Sequence, residues 1–224
     1  MNRTRLKHLN IALMVCAMAC LVYYDYAGGL WLKGVTSSWF VLLGCVNLWA
    51  ARNQKPLDFY ILMVLGLFCG MCADVLLGKV FFAGVGVFAL GHVWYLAAFY
   101  CLEKFSFRDL KCILPLAAFS MLFVAKAPWI SVNDPVMSKL LLAYAAIISA
   151  MLGKAVSNLV AKPCCFRWLL VIGCVLFWFS DMMLAIDMFG QPSRLTWILC
   201  SYSYWPAQSI LAHSLYHAQN HNHH

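Results

Sequence analysis

Long apolar stretches separated by short polar breaks dominate the chain. Eight such stretches cover residues 9–26, 34–51, 57–77, 80–102, 110–130, 136–160, 166–189 and 195–216. Each is close to the ~20 residues that a helix needs to cross the roughly 30 Å hydrocarbon core of a bilayer. Helices satisfy their own backbone hydrogen bonds in lipid, so the pattern predicts an all-α, multi-pass transmembrane bundle of about eight helices.

Turn-forming residues occupy the polar breaks. Proline or glycine occurs with polar residues at positions 52–56, 78–79, 133–135, 162–163 and 190–192. Such clusters end helices and form turns. Because the connections are short, we expect no extramembrane domain and a single domain over residues 1–224.

The composition supports lipid as the solvent. The chain is 64% hydrophobic and 11% charged, whereas soluble domains are about 45–50% apolar and about 25% charged. Most of the 11 cysteines lie inside apolar stretches, where cysteine behaves as a small hydrophobic residue. Cys69 and Cys72 have the spacing of a redox motif but lack its βαβ context. We therefore expect cysteines that pack rather than form disulfides.

The net charge is +8, and the basic residues are spread over short loops. Such a distribution indicates the orientation of a membrane protein rather than nucleic-acid binding. If the N-terminus is inside, the inner side carries Arg3, Arg5, Lys7, Arg52, Lys55, Lys104, Arg108, Lys111, Lys154, Lys162 and Arg167. The outer side then carries only Lys33, Lys79, Lys126, Lys139 and Arg194. This asymmetry predicts that both termini are cytoplasmic. The membrane would be a bacterial inner membrane, or the endoplasmic reticulum if the chain is eukaryotic.

Two aspartates, Asp74 and Asp181, lie inside predicted spans. A charge at membrane depth costs about 2.5–3.5 kcal/mol on insertion scales, so it usually marks a functional site. Counting along the helices puts Asp74 about 25 Å and Asp181 about 22 Å from the inner end, at nearly the same depth. Two desolvated carboxyl groups at one level can divide the roles of acid and base. Alternatively, they pair independently, for instance with Lys33, Lys79 or Arg194.

Other polar residues give weaker indications. His92 lies about 18 Å from the outer end of its span, deeper than the aspartates, so a hydrogen bond between helices is favoured over metal ligation. Tyr202 and Ser203 lie nearer the aspartates and are candidate donors to a lipid headgroup or a catalytic water. Asp187, near the outer mouth, is either a rim residue or a substrate contact. Lys154, near a span end, is expected to snorkel to the membrane surface.

Established catalytic motifs are otherwise missing from the sequence. It contains no Gly-x-Ser-x-Gly elbow, no His-Glu-x-x-His helix and no phosphate-binding loop. We therefore expect no cofactor and no metal. The histidines of the C-terminal tail, including His223 and His224, are interpreted as part of a solvated tail.

Two segments resemble the lysoplasmalogenase family, the YhhN-like membrane hydrolases. The first is Cys72-Ala-Asp74-Val-Leu-Leu77, followed by Phe82, Gly86, Phe88, His92, Tyr95 and Phe99. The second runs from Gly173 to Ala185 and contains Leu-Phe-Trp-Phe-Ser-Asp181-Met-Met-Leu-Ala. Tyr202, Gln208 and Leu211 also fit the family's final helix. Gly34 after Lys33, and Ala73 before Asp74, replace a proline and a glycine of the family pattern.

The resemblance implies hydrolysis of the vinyl ether bond of a lysoplasmalogen, a lysophospholipid, within the bilayer. The products would be a fatty aldehyde and glycerophosphoethanolamine or glycerophosphocholine. Asp74 and Asp181 would be catalytic. The candidate substrate contacts are His92, Tyr95, Tyr202, Ser203, Lys33 and Asp187.

Three other functions are considered. A transporter or lipid flippase would use paired acids for proton coupling, although no inverted repeat is evident. A metal-dependent intramembrane hydrolase would combine His92 with the aspartates. The predicted difference in depth between His92 and the aspartates argues against this function. A non-catalytic lipid sensor would bind lipid without turnover. The sequence leaves the oligomeric state open.

Overall fold

The computed structural model describes residues 2–127, 130–132 and 134–221, with side chains up to residue 219. All regular secondary structure in these residues is helical, which confirms the predicted all-α bundle. Eight helices follow one another: α1 (Arg3–Ala27), α2 (Leu30–Ala50), α3 (Leu57–Leu77), α4 (Phe81–Leu102), α5 (Phe107–Lys126), α6 (Pro135–Ala161), α7 (Cys165–Phe189) and α8 (Arg194–His221).

The helices overlap the eight predicted apolar stretches. The largest differences are that α1 begins at Arg3 instead of near residue 9 and that α8 continues to His221 instead of ending near residue 216. Both additions are polar turns, which an apolar pattern cannot detect. Asn2 caps α1 by accepting a hydrogen bond from Thr4 N, a standard way to satisfy a free N–H group at a helix start.

Helices that follow one another in the chain run antiparallel, as the contacts between α1 and α2 show. Asn10 near the start of α1 bonds to Asn47 near the end of α2, and Thr36, in the first third of α2, donates to the carbonyl oxygen of Cys20, in the last third of α1. We use "outer end" for the end of the bundle where the odd-numbered helices finish, following the predicted orientation, and "inner end" for the opposite one. The asparagine pair is thus a hydrogen bond between two helices.

Seven helices form a closed ring, in the order α1, α2, α3, α4, α6, α7 and α8, with α8 also touching α2 and α3. α5 packs mainly on the outside of α6. Close contact between α3 and α4 depends on small residues, since a Cβ atom at Gly66 would lie 2.5 Å from the ring of Tyr95. Gly86, by contrast, has open space where a Cβ would be, so close helix packing does not depend on it.

Five helices, α1, α3, α4, α6 and α7, are long and apolar enough to cross a membrane. Over their described residues, α2, α5 and α8 do not meet the same criterion. Many of their polar side chains are buried in the protein, namely Thr36, Ser37, Asn47, Asp109, Ser120, Ser201, Ser203, Gln208, Ser209 and Ser214. A multi-pass membrane protein is therefore established, while crossing by all eight helices stays a prediction.

A buried ion pair lies at the inner end, between α5 and α6. Lys154 is 0% exposed, and its Nζ lies 2.9 Å from Asp109 Oδ2. The ammonium group also donates to the carbonyl of Lys104 at 3.2 Å and lies 4.3 Å from the centre of the Tyr100 ring. The expectation that Lys154 snorkels is therefore wrong, because a carboxylate on the neighbouring helix supplies the partner that solvent would otherwise provide.

All 11 cysteines have free thiols.

Candidate active site

Asp74 lies near the outer end of α3 and is 2% exposed. Ser37 Oγ donates a hydrogen bond to Asp74 Oδ2, and the hydroxyl of Tyr204 donates to the same oxygen at 2.9 Å. Lys33 Nζ lies 3.6 Å from Asp74 Oδ1. Two hydroxyl donors and one ammonium group therefore stabilise Asp74 as a carboxylate. Lys33 and Ser37 reach it together because residues four apart share one helix face.

A chain of hydrogen bonds fixes the partners of Asp74. Trp205 Nε1 donates to Ser37 Oγ at 3.2 Å. On the other side, Gln208 Nε2 donates to the hydroxyl oxygen of Tyr204 at 3.4 Å, and Tyr95 donates to Gln208 Oε1 at 2.6 Å. Because each donor is itself held, the carboxylate has a defined orientation.

Asp181 lies in the outer half of α7 and is 7% exposed. The hydroxyl of Tyr144 donates to Asp181 Oδ2 at 2.6 Å. His92 Nε2 lies 3.3 Å from that oxygen and 2.8 Å from the Tyr144 oxygen. Ser180 Oγ makes a longer contact of 3.4 Å with Asp181 Oδ1. The ionic partner of Asp181 is thus a histidine, which is charged only when protonated, whereas that of Asp74 is a lysine.

One cavity of about 240 Å³ at the outer end contains both aspartates in its wall. We call it the main cavity. Its other charged lining residues are Lys33 and Asp187, and the remainder of the wall comes from Tyr24, Leu77, Gly78, Phe88, Ser180, Leu184, Met188, Trp197, Cys200, Ser201, Tyr204 and Trp205. The main cavity is therefore bounded by α1, α2, α3, α4, α7 and α8. It places two buried carboxyl groups beside one space large enough for part of a ligand.

Three aromatic rings connect the surroundings of the two aspartates. Phe88, Phe177 and Tyr204 contact one another, with centroid distances of 6.3, 5.7 and 5.3 Å. Phe177 also packs 4.6 Å from the ring of His92. Edge-to-face contacts of this kind are favourable and restrict ring motion. The cluster therefore couples Tyr204 of the Asp74 group to His92 of the Asp181 group.

A second, smaller cavity of about 50 Å³ adjoins the first and is almost entirely apolar. We call it the apolar cavity. The residues that line both cavities are Leu77, Phe88, Asp181, Leu184 and Met188. Asp181 thus lies at the junction of the two cavities, whereas Asp74 is in the wall of the main cavity.

His92 makes the predicted hydrogen bond between helices, to Tyr144, but its imidazole also contacts Asp181, from which the predicted difference in depth would separate it. Counting residues along an ideal helix neglects helix tilt, axial offset and the length of the two side chains. Tyr95, a predicted substrate contact, is fully buried and holds Gln208 instead of lining the main cavity. Asp187 does line the main cavity and accepts a hydrogen bond from Thr196 Oγ1 at 2.8 Å.

Two other predicted contacts lie away from the lining of the main cavity. Tyr202 is 40% exposed and donates to Asp25 Oδ2 at 3.1 Å. Ser203 donates to backbone carbonyls of its own helix, at Leu199 and Cys200. Because of the rotation of α8 about its axis, Tyr204 faces the site instead. Adjacent residues of a helix lie at nearly the same depth, so depth alone does not show which of them faces the site.

Three residues of the site escaped the sequence prediction. Ser37 could have been found from its spacing of four residues from Lys33. Tyr204 could likewise have been found, because it lies four residues before Gln208 and so on the same helix face. Tyr144 gives a weaker signal, namely a tyrosine deep in an apolar stretch whose hydroxyl needs a partner when buried.

The alternative prediction, that the two aspartates pair independently with basic residues, is correct in part. Lys33 does pair with Asp74, but Arg194 pairs with Asp25. Among the described residues, no three His, Cys, Asp or Glu side chains are grouped as a metal site would require. His223 and His224 lie outside the described residues.

Comparison with known proteins places the chain in a family. The YhhN family model matches residues 31–215, which include both aspartates, α2 from its second residue and the whole of α3 to α7. No curated protein and no solved structure matches the chain. The chain therefore belongs to the YhhN family, the family of lysoplasmalogenases, as a multi-pass helical membrane protein.

Proposed function

We propose that the protein hydrolyses the vinyl ether bond of lysoplasmalogens within the membrane. The products are a fatty aldehyde and glycerophosphoethanolamine or glycerophosphocholine. The observation that carries this proposal is that Asp74 and Asp181, on different helices and both buried, line the same cavity. Membership of the YhhN family supports the same chemistry.

The reaction needs one proton donor and one proton acceptor. A vinyl ether is hydrolysed by proton transfer to its β-carbon, which converts the double bond into a single bond and leaves an oxocarbenium ion. Water then attacks the carbon next to oxygen and loses a proton, giving a hemiacetal. The hemiacetal breaks its bond to the glycerol oxygen and releases aldehyde and alcohol. One carboxylic acid and one carboxylate suffice for these transfers.

The surroundings of the two acids fit this division. A carboxylate near the reacting carbon stabilises the positive charge of the oxocarbenium ion, and the low dielectric of a buried site strengthens that attraction. The large majority of the wall near the aspartates is apolar or aromatic, which limits the number of competing water molecules.

The test is mass spectrometry of the purified protein in detergent, incubated with a lysoplasmalogen and with its saturated alkyl ether analogue. We expect aldehyde from the vinyl ether and none from the saturated ether, because only the vinyl ether accepts a proton on carbon. Turnover of neither compound contradicts the proposal and favours a transporter or a lipid sensor. Cleavage of both contradicts the proposed chemistry.

A further inference from the structure

We propose that the apolar cavity holds the first part of the substrate's hydrocarbon chain, and that Asp181 is the residue that protonates the β-carbon. This inference rests on the proposed function and assigns orientation and roles within it. The observation behind it is that Asp181 lines both cavities.

The lining of the apolar cavity suits a hydrocarbon chain. Twelve of its fourteen lining residues are apolar, and the two polar ones are Asp181 and Tyr144. The hydroxyl of Tyr144 already donates a hydrogen bond to the Asp181 carboxyl group. The wall therefore offers a ligand apolar contacts and only one acidic group, which lies at the entrance from the main cavity.

A separate group of packed side chains on α5 and α6 forms one wall of the apolar cavity. Val124, Leu141 and Ala145 belong to a small core of their own, apart from the main core, and all three line the apolar cavity. They come from α5 and α6, whereas the main cavity is bounded by α1, α2, α3, α4, α7 and α8. The two cavities thus extend to different sides of Asp181.

A lysoplasmalogen changes from polar to apolar at its vinyl ether. The glycerol and headgroup lie on the oxygen side, and the β-carbon begins the hydrocarbon side. With the headgroup in the main cavity, which contains Lys33 and Asp187, the β-carbon comes to the junction at Asp181. Asp74, which is paired with Lys33 in the main cavity, then faces the oxygen side and the attacking water.

All protons are accounted for in this arrangement. The Asp181 carboxyl group gives its proton to the β-carbon, and the electron pair of the double bond forms the new C–H bond. Asp74 removes a proton from the attacking water. When the hemiacetal breaks, Asp74 returns that proton to the glycerol oxygen, and the hemiacetal hydroxyl proton goes to Asp181. Both carboxyl groups regain their starting states.

Filling the apolar cavity tests the chain subsite. Ala145→Leu adds three carbons at a buried position in its wall, and Ala143→Leu adds the same group at an exposed position of α6. A cavity of about 50 Å³ holds about two methylene groups, each near the roughly 30 Å³ of a water molecule. Since burial of one methylene is worth about fourfold in affinity, we expect Ala145→Leu to lower kcat/KM for a hexadecenyl substrate about tenfold.

A propenyl substrate separates a blocked subsite from a misfolded protein. It keeps the vinyl ether but lacks the chain, so Ala145→Leu should cleave it within about twofold of the wild type. Ala143→Leu should match the wild type on both substrates, and Ala185→Leu, at another buried wall position, should repeat the result of Ala145→Leu. Equal losses on both substrates, or no loss on either, overturn the chain subsite.

Failure of the proposed function is detected separately by binding. The saturated hexadecyl ether cannot react, so its binding to the wild type and to Ala145→Leu is measured independently of turnover. Weaker binding to Ala145→Leu alone supports the subsite even if no vinyl ether is cleaved. Equal binding, together with wild-type turnover, removes the subsite and leaves the hydrolase intact.

The assigned roles are tested by adding azide to the two acid variants. Azide captures an oxocarbenium ion without a general base, so it should raise substrate consumption by Asp74→Asn at least about tenfold. It should leave Asp181→Asn unchanged, because no ion forms without the proton donor. Rescue of Asp181→Asn instead, or of neither variant, overturns the assignment.

Discussion

The two ends of the bundle both contain buried carboxylates, but the groups around them differ. At the inner end, Asp109 is bound by Lys154 at 2.9 Å, by the Ser157 hydroxyl, and by the backbone N–H of Ser106 at 3.0 Å. At the outer end, Asp74 and Asp181 have partners too, yet they face a cavity of about 240 Å³. The outer acids therefore differ from Asp109 in having space for a ligand beside them.

The partners differ in a second respect. The Asp109 carboxylate is matched by a lysine with no exposure, an arrangement that holds α5 to α6. Asp181 is matched by a tyrosine and a histidine, groups that can take part in proton transfer. The comparison predicts loss of activity on changing the outer acids and loss of stability on changing the inner pair.

The largest effect is expected from Asp74→Asn and Asp181→Asn. Each removes a carboxyl group needed for proton transfer, so kcat should fall by about 10³-fold or more. Aldehyde release in detergent measures it, with the melting temperature as a check on folding. Asp58→Asn, at an exposed position in the first turn of α3, is the matched control and should keep full activity. Full activity in either site variant would remove that residue from the mechanism.

The next largest effect should be on stability, in Lys154→Met. Removing one partner of a buried ion pair leaves the other charge unpaired and typically costs about 3–5 kcal/mol. Lys162→Met is the control, since Lys162 is 67% exposed and pairs with Glu103 near the surface. Thermal unfolding in detergent should show a large decrease for Lys154→Met and almost none for the control. A stable Lys154→Met that has lost its activity would reverse our comparison of the two ends.

Tyr144→Phe should have an intermediate effect on activity. The variant removes the hydroxyl group that orients Asp181 but keeps the ring, so we expect kcat to fall about tenfold with KM nearly unchanged. Tyr60→Phe is the control, because the buried Tyr60 hydroxyl has no hydrogen-bond partner in the described part of the chain. An equal decrease in both variants would indicate a general packing effect.

The smallest effect should come from Glu103→Gln, just after α4. The hydrogen bond from Arg167, at 2.8 Å, lowers the pKa of Glu103, and Lys162 adds to this. The stabilisation is therefore present above the unfolded pKa of about 4.3 and is lost as pH falls through the lower folded value. Because Glu103 is partly exposed and glutamine keeps an oxygen that can accept the Arg167 hydrogen bond, we expect a decrease of at most about 2 °C in Tm at pH 7. A difference that persists at pH 3 would contradict the ion pair as its cause.

The sequence was sufficient for the helices and for the two acids. Apolar stretches near membrane length define helices because lipid leaves the chain few alternatives. Asp74 and Asp181 were identifiable because a carboxylate at that depth is costly. Their common cavity also requires the closed ring of helices, which depends on contacts such as Gly66 against Tyr95.

The partners of the acids were less predictable. Tyr202 and Ser203 were predicted as site residues and Tyr204 was not, although of these three only Tyr204 donates a hydrogen bond to Asp74. Helix rotation decides between adjacent residues, and apolar helices in lipid show little periodicity from which rotation can be read. The contact between His92 and Asp181 was missed for a similar reason, since axial offsets between helices are set by packing.

The most direct test of the central claim is a single turnover of lysoplasmalogen in D₂O. The aldehyde is trapped at once by reduction, and authentic aldehyde is carried through the same steps to measure exchange. We predict one deuterium on the carbon next to the carbonyl in the wild-type product, and no product from Asp181→Asn. Aldehyde without that deuterium, or the same labelled product from Asp181→Asn, would contradict protonation of the vinyl ether by this aspartate.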